Sequence, residues 1–277
     1  MAEANPMATL FDRLADTYDA VGVDFIAPIA EGLVLELDPQ PGERALDVGC
    51  GKGAALVPLA AAVGATGTTV GIDISPAMVD RARSTLRDKA LDATVIVGDA
   101  DDPHVDSAHV DATQFDVITS SLVLFFLPDP ATALMTWRSL MADDARVGVS
   151  TFGPVAERWR THVDGPLRRW ADANTRDART TGQSGPFASD ESMEGLFAEA
   201  GYHQVRTVTT MVSPRFADAE QWYRWSMSVG QRQFWDAVPA DRLPQVRAEL
   251  MSSVETCRDS DGRIGFDQAV RYTLAVR

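Results

Sequence analysis

From Arg44 to Gly153 short apolar runs alternate with longer amphipathic stretches, the pattern of βα units that feed a parallel sheet. The runs predict strands at Arg44–Val48, Thr69–Ile72, Thr94–Val97, Phe115–Thr119 and Arg146–Thr151. The stretches between them predict helices at Ala54–Ala62, Pro76–Lys89 and Ala131–Met141. Pro76 and Pro130 suit a first helical turn, where the backbone N–H has no partner to lose. Ahead of this alternation, Ala8–Tyr18 and Ile26–Leu37 read as helices laid over the opening of the sheet. Beyond it, Val155–Thr180 carries Arg, Asp and Trp at helical spacing, and Thr181–Pro186 is a loop. Ser192–Ala200 reads as a helix closed by Gly201. Val205–Val212 and Val270–Val276 predict two late strands, with helical patterns at Glu220–Ala237 and Arg242–Ser253 between them.

These elements divide the chain into an N-terminal helical lid over residues 1–40, a ligand-binding core over 41–153, and a final segment over 154–277. The final segment combines helical cap pieces with the two strands that complete the core sheet. A sheet of this kind binds its ligand at the carboxyl ends of the strands.

Composition narrows the function. The 277 residues are 45% apolar, enough for one large core, and no internal repeat or low-complexity tract interrupts them. A net charge of −15 works against nucleic acid as a partner, because such binding draws on clustered Lys and Arg. Met1–Leu10 has no basic region followed by an apolar one, and no run reaches the ~18 apolar residues of a membrane span. A cytoplasmic protein without a membrane partner is expected. Cys50 and Cys257 lie far apart without metal-type spacing, so neither is read as a disulfide partner. A homodimer is compatible with the sequence, which does not specify one.

The chemistry concentrates after the first strand, in Asp47-Val48-Gly49-Cys50-Gly51-Lys52-Gly53. Glycines at a strand-to-helix turn accept positive φ and let a ligand approach the backbone. The order differs from the G-x-G-x-x-G of dinucleotide sites, where a pyrophosphate rests on the helix N-terminus. A carboxylate at Asp47 repels pyrophosphate and suits a ligand bearing an ammonium and a sulfonium. The next strand ends in Asp73-Ile74-Ser75-Pro76-Ala77-Met78, which puts an acid where both hydroxyls of a ribose can donate to it. A third strand ends in Val97-Gly98-Asp99-Ala100, and a fourth runs from Phe115 through Thr119-Ser120-Ser121 to Asp129.

In this order and spacing the motifs resemble those of the class I S-adenosylmethionine (SAM)-dependent methyltransferases, in the branch that holds the ubiquinone/menaquinone and natural-product enzymes. Phe11-Asp12-Arg13-Leu14-Ala15-Asp16-Thr17-Tyr18-Asp19 is similar to the same branch. The resemblance implies an α/β fold with a Rossmann-like, seven-stranded, mostly parallel sheet, helices on both faces and a helical cap. It implies SAM as cofactor and methyl transfer to a small organic molecule, with O-methylation in natural-product or quinone-type secondary metabolism foremost. It further implies a cofactor site of Tyr18, Asp47, Gly49, Cys50, Gly51, Gly53, Asp73, Ile74, Met78, Asp99, Ala100, Ser120 and Ser121. Ile74 and Met78 would pack on the adenine, Asp99 would accept from its amino group, Thr119, Ser120 and Ser121 would meet the methionine part, and Tyr18 would close the site.

Phe125-Phe126 stands where many natural-product relatives carry a histidine pair that serves as base. Base candidates elsewhere are His162, His203, Asp164 and Tyr223. Three readings follow: an acceptor that needs no base, a base supplied by the cap, or a non-methylating descendant such as a cyclase or binding protein. A nicotinamide-dependent oxidoreductase shares the strand–glycine–helix architecture, but the glycine spacing disfavours it. His104 and His109 among Asp101, Asp102, Asp106 and Asp111 have spacing too irregular for a metal site and read as a solvated loop. Trp159, Trp170, Trp222, Tyr223, Trp225, Phe234 and Trp235 concentrate aromatic area in the cap, suited to a flat acceptor.

Overall fold

The computed structural model describes residues 5–105, 114–170 and 184–277. The predicted strands form as β1 (Arg44–Val48), β2 (Thr68–Asp73), β3 (Thr94–Val97), β4 (Phe115–Ser121) and β5 (Met141–Val155). Two late strands, β6 (His203–Val212) and β9 (Gln268–Val276), join them, and a separate short ribbon pairs β7 (Arg215–Phe216) with β8 (Ile264–Gly265). The seven-stranded sheet has the order β3-β2-β1-β4-β5-β9-β6. Neighbours run parallel from β3 through to β5, and β9 is antiparallel to both β5 and β6. The interior strands β1, β2 and β4 are buried nearly throughout, as expected of a sheet covered by helices.

Two helices of the core start where the sequence supplies a cap. Ser75 accepts from the Met78 N–H at 3.1 Å to open α4 (Pro76–Asp88), and Asp129 accepts from the Thr132 N–H at 3.0 Å to open α5 (Pro130–Ser139). In both a proline follows the cap and fits the first turn. The helices α2 (Ile26–Leu37) and α3 (Leu56–Val63) bury Ile29, Leu33, Leu59 and Val63 in the main core. Cys50, Leu56, Val79, Ala82, Leu86 and Val95 form a smaller cluster between α3, α4 and β3.

Several elements differ from the pattern-based expectation. The first helix, α1 (Pro6–Leu14), stops four residues early: Tyr18 N–H donates to Leu14 O in a turn, and Asp19 enters the left-handed region at φ 50°. Strand β5 is longer at both ends, because Met141 pairs with Phe115 and Val155 with Gln268 across register shifts. The single helix expected at Glu220–Ala237 is two, Ala219–Ser228 and Arg232–Asp236, parted at Val229, Gly230 and Gln231. Val155–Thr180 begins with short helical turns over Glu157–Trp159, Arg160–Asp164 and Gly165–Arg168. Its remainder from residue 171, the start of the Thr181–Pro186 loop and the acidic loop around His109 lie outside the described residues.

The cap packs as a nest of rings. Trp159 stacks on Phe266 with centroids 4.4 Å apart, and Trp225 meets Phe216 at 5.3 Å and Phe25 at 5.4 Å. Helices Ala219–Ser228 and Leu243–Glu255 lie against each other, joined by a Glu220–Arg247 ion pair at 2.6 Å. No described helix is long and apolar enough to cross a membrane.

Candidate active site

A cavity of about 920 Å³ opens at the carboxyl ends of β1 to β4, at the upper end of the ~300–1,000 Å³ usual for small-molecule sites. Its floor is the glycine turn after β1. Gly49 has φ +73°, and a Cβ there would fall 2.4 Å from the Val123 side chain. Gly51 has φ +53°, and its missing Cβ faces open space. Both line the cavity, so the turn brings bare backbone to the ligand.

Asp73 ends β2 at the cavity wall. Its two carboxylate oxygens accept from Gly51 N–H at 2.8 Å and Ser75 N–H at 2.9 Å, which fixes the group and leaves further lone pairs for a ligand. Burial pushes its pKa up, opposed by those two N–H donors. Ile74 and Met78 continue the wall, and Asp99 and Ala100 follow β3. The Trp137 indole holds this second acidic turn by donating to Ala100 O at 2.7 Å. Asp73, Asp99 and Asp101 are the charged residues of the lining, and no Lys, Arg or His accompanies them among the described residues.

Period-two alternation sorts the residues at the end of β4. Ser121 lines the cavity and shares a 2.9 Å hydrogen bond with Ser150. Ser120 turns away and donates to Val48 O at 2.9 Å, while Thr119 donates to Asp47 Oδ1 at 2.8 Å. Leu122 then adopts φ 61°, a strained choice for a branched residue, and meets the cavity together with Val123 and Phe126.

Three other expected site residues sit behind the floor. Asp47 is fully buried beneath the glycine turn, and its Oδ2 has no hydrogen-bond partner among the described residues. Burial raises its pKa to about 7; the Thr119 hydroxyl opposes this and the Asp73 charge adds to it. Cys50 packs into the α3–α4 cluster, with burial pushing its thiol well up. Gly53 has φ +101° and abuts Val57 and Ala82 rather than the cavity. The three carboxylates 47, 73 and 99 therefore do not share one rim: two face the cavity and the third supports the turn from below.

The N-terminal segment closes the top. Asp12 accepts from the Ser75 hydroxyl at 2.5 Å and from Ala77 N–H at 3.2 Å, while Leu10 and Leu14 pack on Met78. Lys52 of the glycine turn donates to the backbone oxygen of Tyr18, and the Tyr18 ring lines the cavity beside Phe11 at 6.0 Å. Burial, with Asp19 and Asp73 nearby, raises the Tyr18 phenol and keeps it protonated.

A narrow recess of about 50 Å³ adjoins the cavity through Phe11, Tyr18, Leu122 and Phe126, which line both. Its walls add Phe25, Phe125, Phe152, Trp225 and Gln231. The sequence did not single out Phe11, Phe25, Leu122, Phe152 or Gln231 as site residues. The usable signal for the last was Gly230, a helix breaker inside an otherwise helical pattern. The base candidates lie elsewhere: His162, His203 and Tyr223 line neither space, and Tyr223 instead carries the Arg247 guanidinium on its ring at 4.3 Å. Asp164 stands behind the recess and accepts from Gln231 Nε2 at 3.2 Å.

A Rossmann-like sheet with an acid-lined cavity over a glycine turn suits an adenosyl ligand that carries no pyrophosphate. Comparison with known proteins makes the class specific. Residues 20–207 match the family described as a methyltransferase domain. Over 275 residues the chain is 36% identical to nocamycin O-methyltransferase of Saccharothrix syringae, covering 95% of each chain. It is 37% identical over 142 residues to aklanonic acid methyltransferase DauC of Streptomyces sp. strain C5, covering 51% of this chain and 62% of that one. Among solved structures, YcgJ protein of Bacillus subtilis superposes with a TM-score of 0.59 at 17% identity, covering 90% of this chain and 97% of that one. Phosphoethanolamine N-methyltransferase 2 of Haemonchus contortus, solved with SAM, superposes with a TM-score of 0.57 at 15% identity, covering 96% of this chain and 57% of that one. At such identities the likeness concerns the fold. The chain belongs to the class I SAM-dependent methyltransferases.

The cavity fits that cofactor. The open space over Gly51 admits its backbone-hugging chain, and an all-acidic set of charges suits a ligand that carries a sulfonium, an ammonium and hydroxyl donors.

Proposed function

We propose that this methyltransferase O-methylates a small, flat, largely apolar acceptor in natural-product or quinone-type metabolism. The observation that carries the proposal is the junction of the acid-lined cavity with a recess walled by Phe11, Tyr18, Phe25, Phe125, Phe126, Phe152 and Trp225. Such walls bury aromatic area and exclude water from the point where the two spaces meet. The name of the 36% identical relative, nocamycin O-methyltransferase, supports oxygen as the receiving atom. The net charge of −15 supports a small molecule over a nucleic acid, and the free, buried Cys50 and Cys257 support a cytoplasmic setting.

Bound SAM supplies an electrophilic methyl group on a sulfonium with a good leaving group. Asp73 accepts from the ribose hydroxyls, Asp99 from the adenine amino group, and Ile74, Met78 and Ala100 flank the base. Gly49 and Gly51 give the amino-acid part room against the backbone, with the Ser121 hydroxyl beside it. Asp47, Cys50, Gly53 and Ser120 serve by holding the turn and the strand end in place. Tyr18 and the described residues of 1–40 form the lid, and the described residues of 154–277 shape the acceptor side.

Catalysis then rests on placing the acceptor in line and drying the reacting pair. Orientation alone is worth up to ~7–11 kcal/mol, whereas general-base help is typically ~10²–10⁴-fold. With phenylalanines at 125 and 126, the favoured acceptor is an acidic hydroxyl that loses its proton readily. Incubation with SAM and a panel of polycyclic phenols and enols is expected to release S-adenosylhomocysteine (SAH) and an O-methyl product, both read by mass spectrometry. Turnover confined to amines or thiols would reject the oxygen assignment.

A further inference from the structure

Gln231 is 96% buried in a recess that is otherwise apolar, and its amide is half used. Its Nε2 donates to Asp164 Oδ1 at 3.2 Å. A carboxylate only accepts, so this bond decides which way the amide is turned and leaves Oε1 as the free end. That oxygen has no hydrogen-bond partner among the described residues. A buried carbonyl left without a partner is destabilising, and folded proteins retain few such groups without a use for them. The backbone favours the same purpose. Gln231 is delivered by the interruption at Val229–Gly230 between two cap helices, and all three residues line the recess. The recess shares the walls Tyr18 and Phe126 with the cavity but none of the acidic lining, so a group bound against Gln231 belongs to the acceptor and not to the cofactor.

Resting on the acceptor reading above, we infer that Gln231 Oε1 is the acceptor subsite's hydrogen-bond acceptor, held in position by Asp164, and that the acceptor carries a second donor, a hydroxyl or N–H, on its apolar edge. The methylated oxygen lies at the cavity side, and the second donor enters the recess. Asp164 is thereby a positioning residue, with no contact to the reacting atoms.

The test uses two probes of nearly equal size, 2-naphthol and 2-methylnaphthalene, which differ by a hydroxyl in place of a methyl group. Their binding to the SAH-saturated protein is read by quenching of Trp fluorescence, since Trp225 lines the recess. The wild type is expected to prefer 2-naphthol by about tenfold, a usual discrimination when a buried polar group would otherwise lose its partner. Gln231→Leu is expected to abolish the preference while still binding 2-methylnaphthalene, and Asp164→Asn to reduce it. An equal preference in wild type and Gln231→Leu, or none in the wild type, would overturn the subsite. SAH affinity measured on the same samples separates the two levels. SAH binding without hydroxyl preference removes the subsite and leaves the methyltransferase reading intact; failure of the wild type to bind SAH removes both.

Discussion

Asp47 and Asp73 show how two carboxylates twenty-six residues apart in one motif set come to do different work. Asp73 is anchored by two backbone N–H groups at the cavity wall, whereas Asp47 is sealed below the turn with one oxygen unpartnered. Burial raises Asp47 from 3.8 to about 7, so in that interval the folded chain holds a proton that the unfolded chain has released. Its contribution to stability is complete below the unfolded value and is lost as pH rises through about 7. Asp47→Asn keeps an oxygen for the Thr119 hydroxyl and is expected to stabilise the protein by on the order of a few kcal/mol at pH 8, with little effect near pH 4. Urea unfolding at the two pH values checks this, and a gain that is equal at both would contradict it. The motif marks where these acids lie along the chain, but not which way each faces. Ser120 and Ser121 teach the same lesson: adjacent strand residues point to opposite faces, and only the second reaches the cavity.

At the scale of elements, the glycine turn separates architecture from ligand space. At Gly49 a side chain would collide with Val123, and at Gly51 a Cβ would meet nothing within 4 Å among the described residues. Gly51→Ala is expected to lower the melting temperature by only a few degrees, because an alanine at positive φ is strained by ~1–2 kcal/mol. The same change is expected to weaken SAM at least tenfold by filling the space above the turn. Gly49→Ala should instead lose the folded state first. Calorimetry paired with thermal melts distinguishes the two, and unchanged SAM affinity in a folded Gly51→Ala would place the cofactor elsewhere. Most of the core elements were legible, since βα alternation depends on local periodicity and on caps such as Ser75 and Asp129. The cap was less so. Whether residues 229–231 interrupt a helix depends on how Trp225, Phe234 and Trp235 pack, which is a tertiary matter that no local pattern records.

Across the whole molecule, the cavity is enclosed by parts far apart in sequence. Helix α1 is held on α4 by Asp12, an Arg81–Asp16 ion pair and the cluster of Leu10, Leu14 and Met78. The exposed ion pair adds little, so the buried contacts and Asp12 carry the closure. Asp12→Ala removes two hydrogen bonds of ~0.5–1.5 kcal/mol each and is expected to speed SAH dissociation several-fold, with the melting temperature lowered by a few degrees. Stopped-flow displacement of SAH measures that rate, and an unaltered rate would mean that α1 does not gate release.

The sheet order has a temporal consequence as well. Strand β9 lies between β5 and β6, yet follows both along the chain. During synthesis β6 emerges with no neighbour to pair with, and β5 keeps one edge bare until more than a hundred residues later the intervening strand arrives. A ribosome-bound chain arrested before Gln268 is therefore expected to leave one edge of β5 and both edges of β6 unpaired and to depend on chaperones to stay soluble.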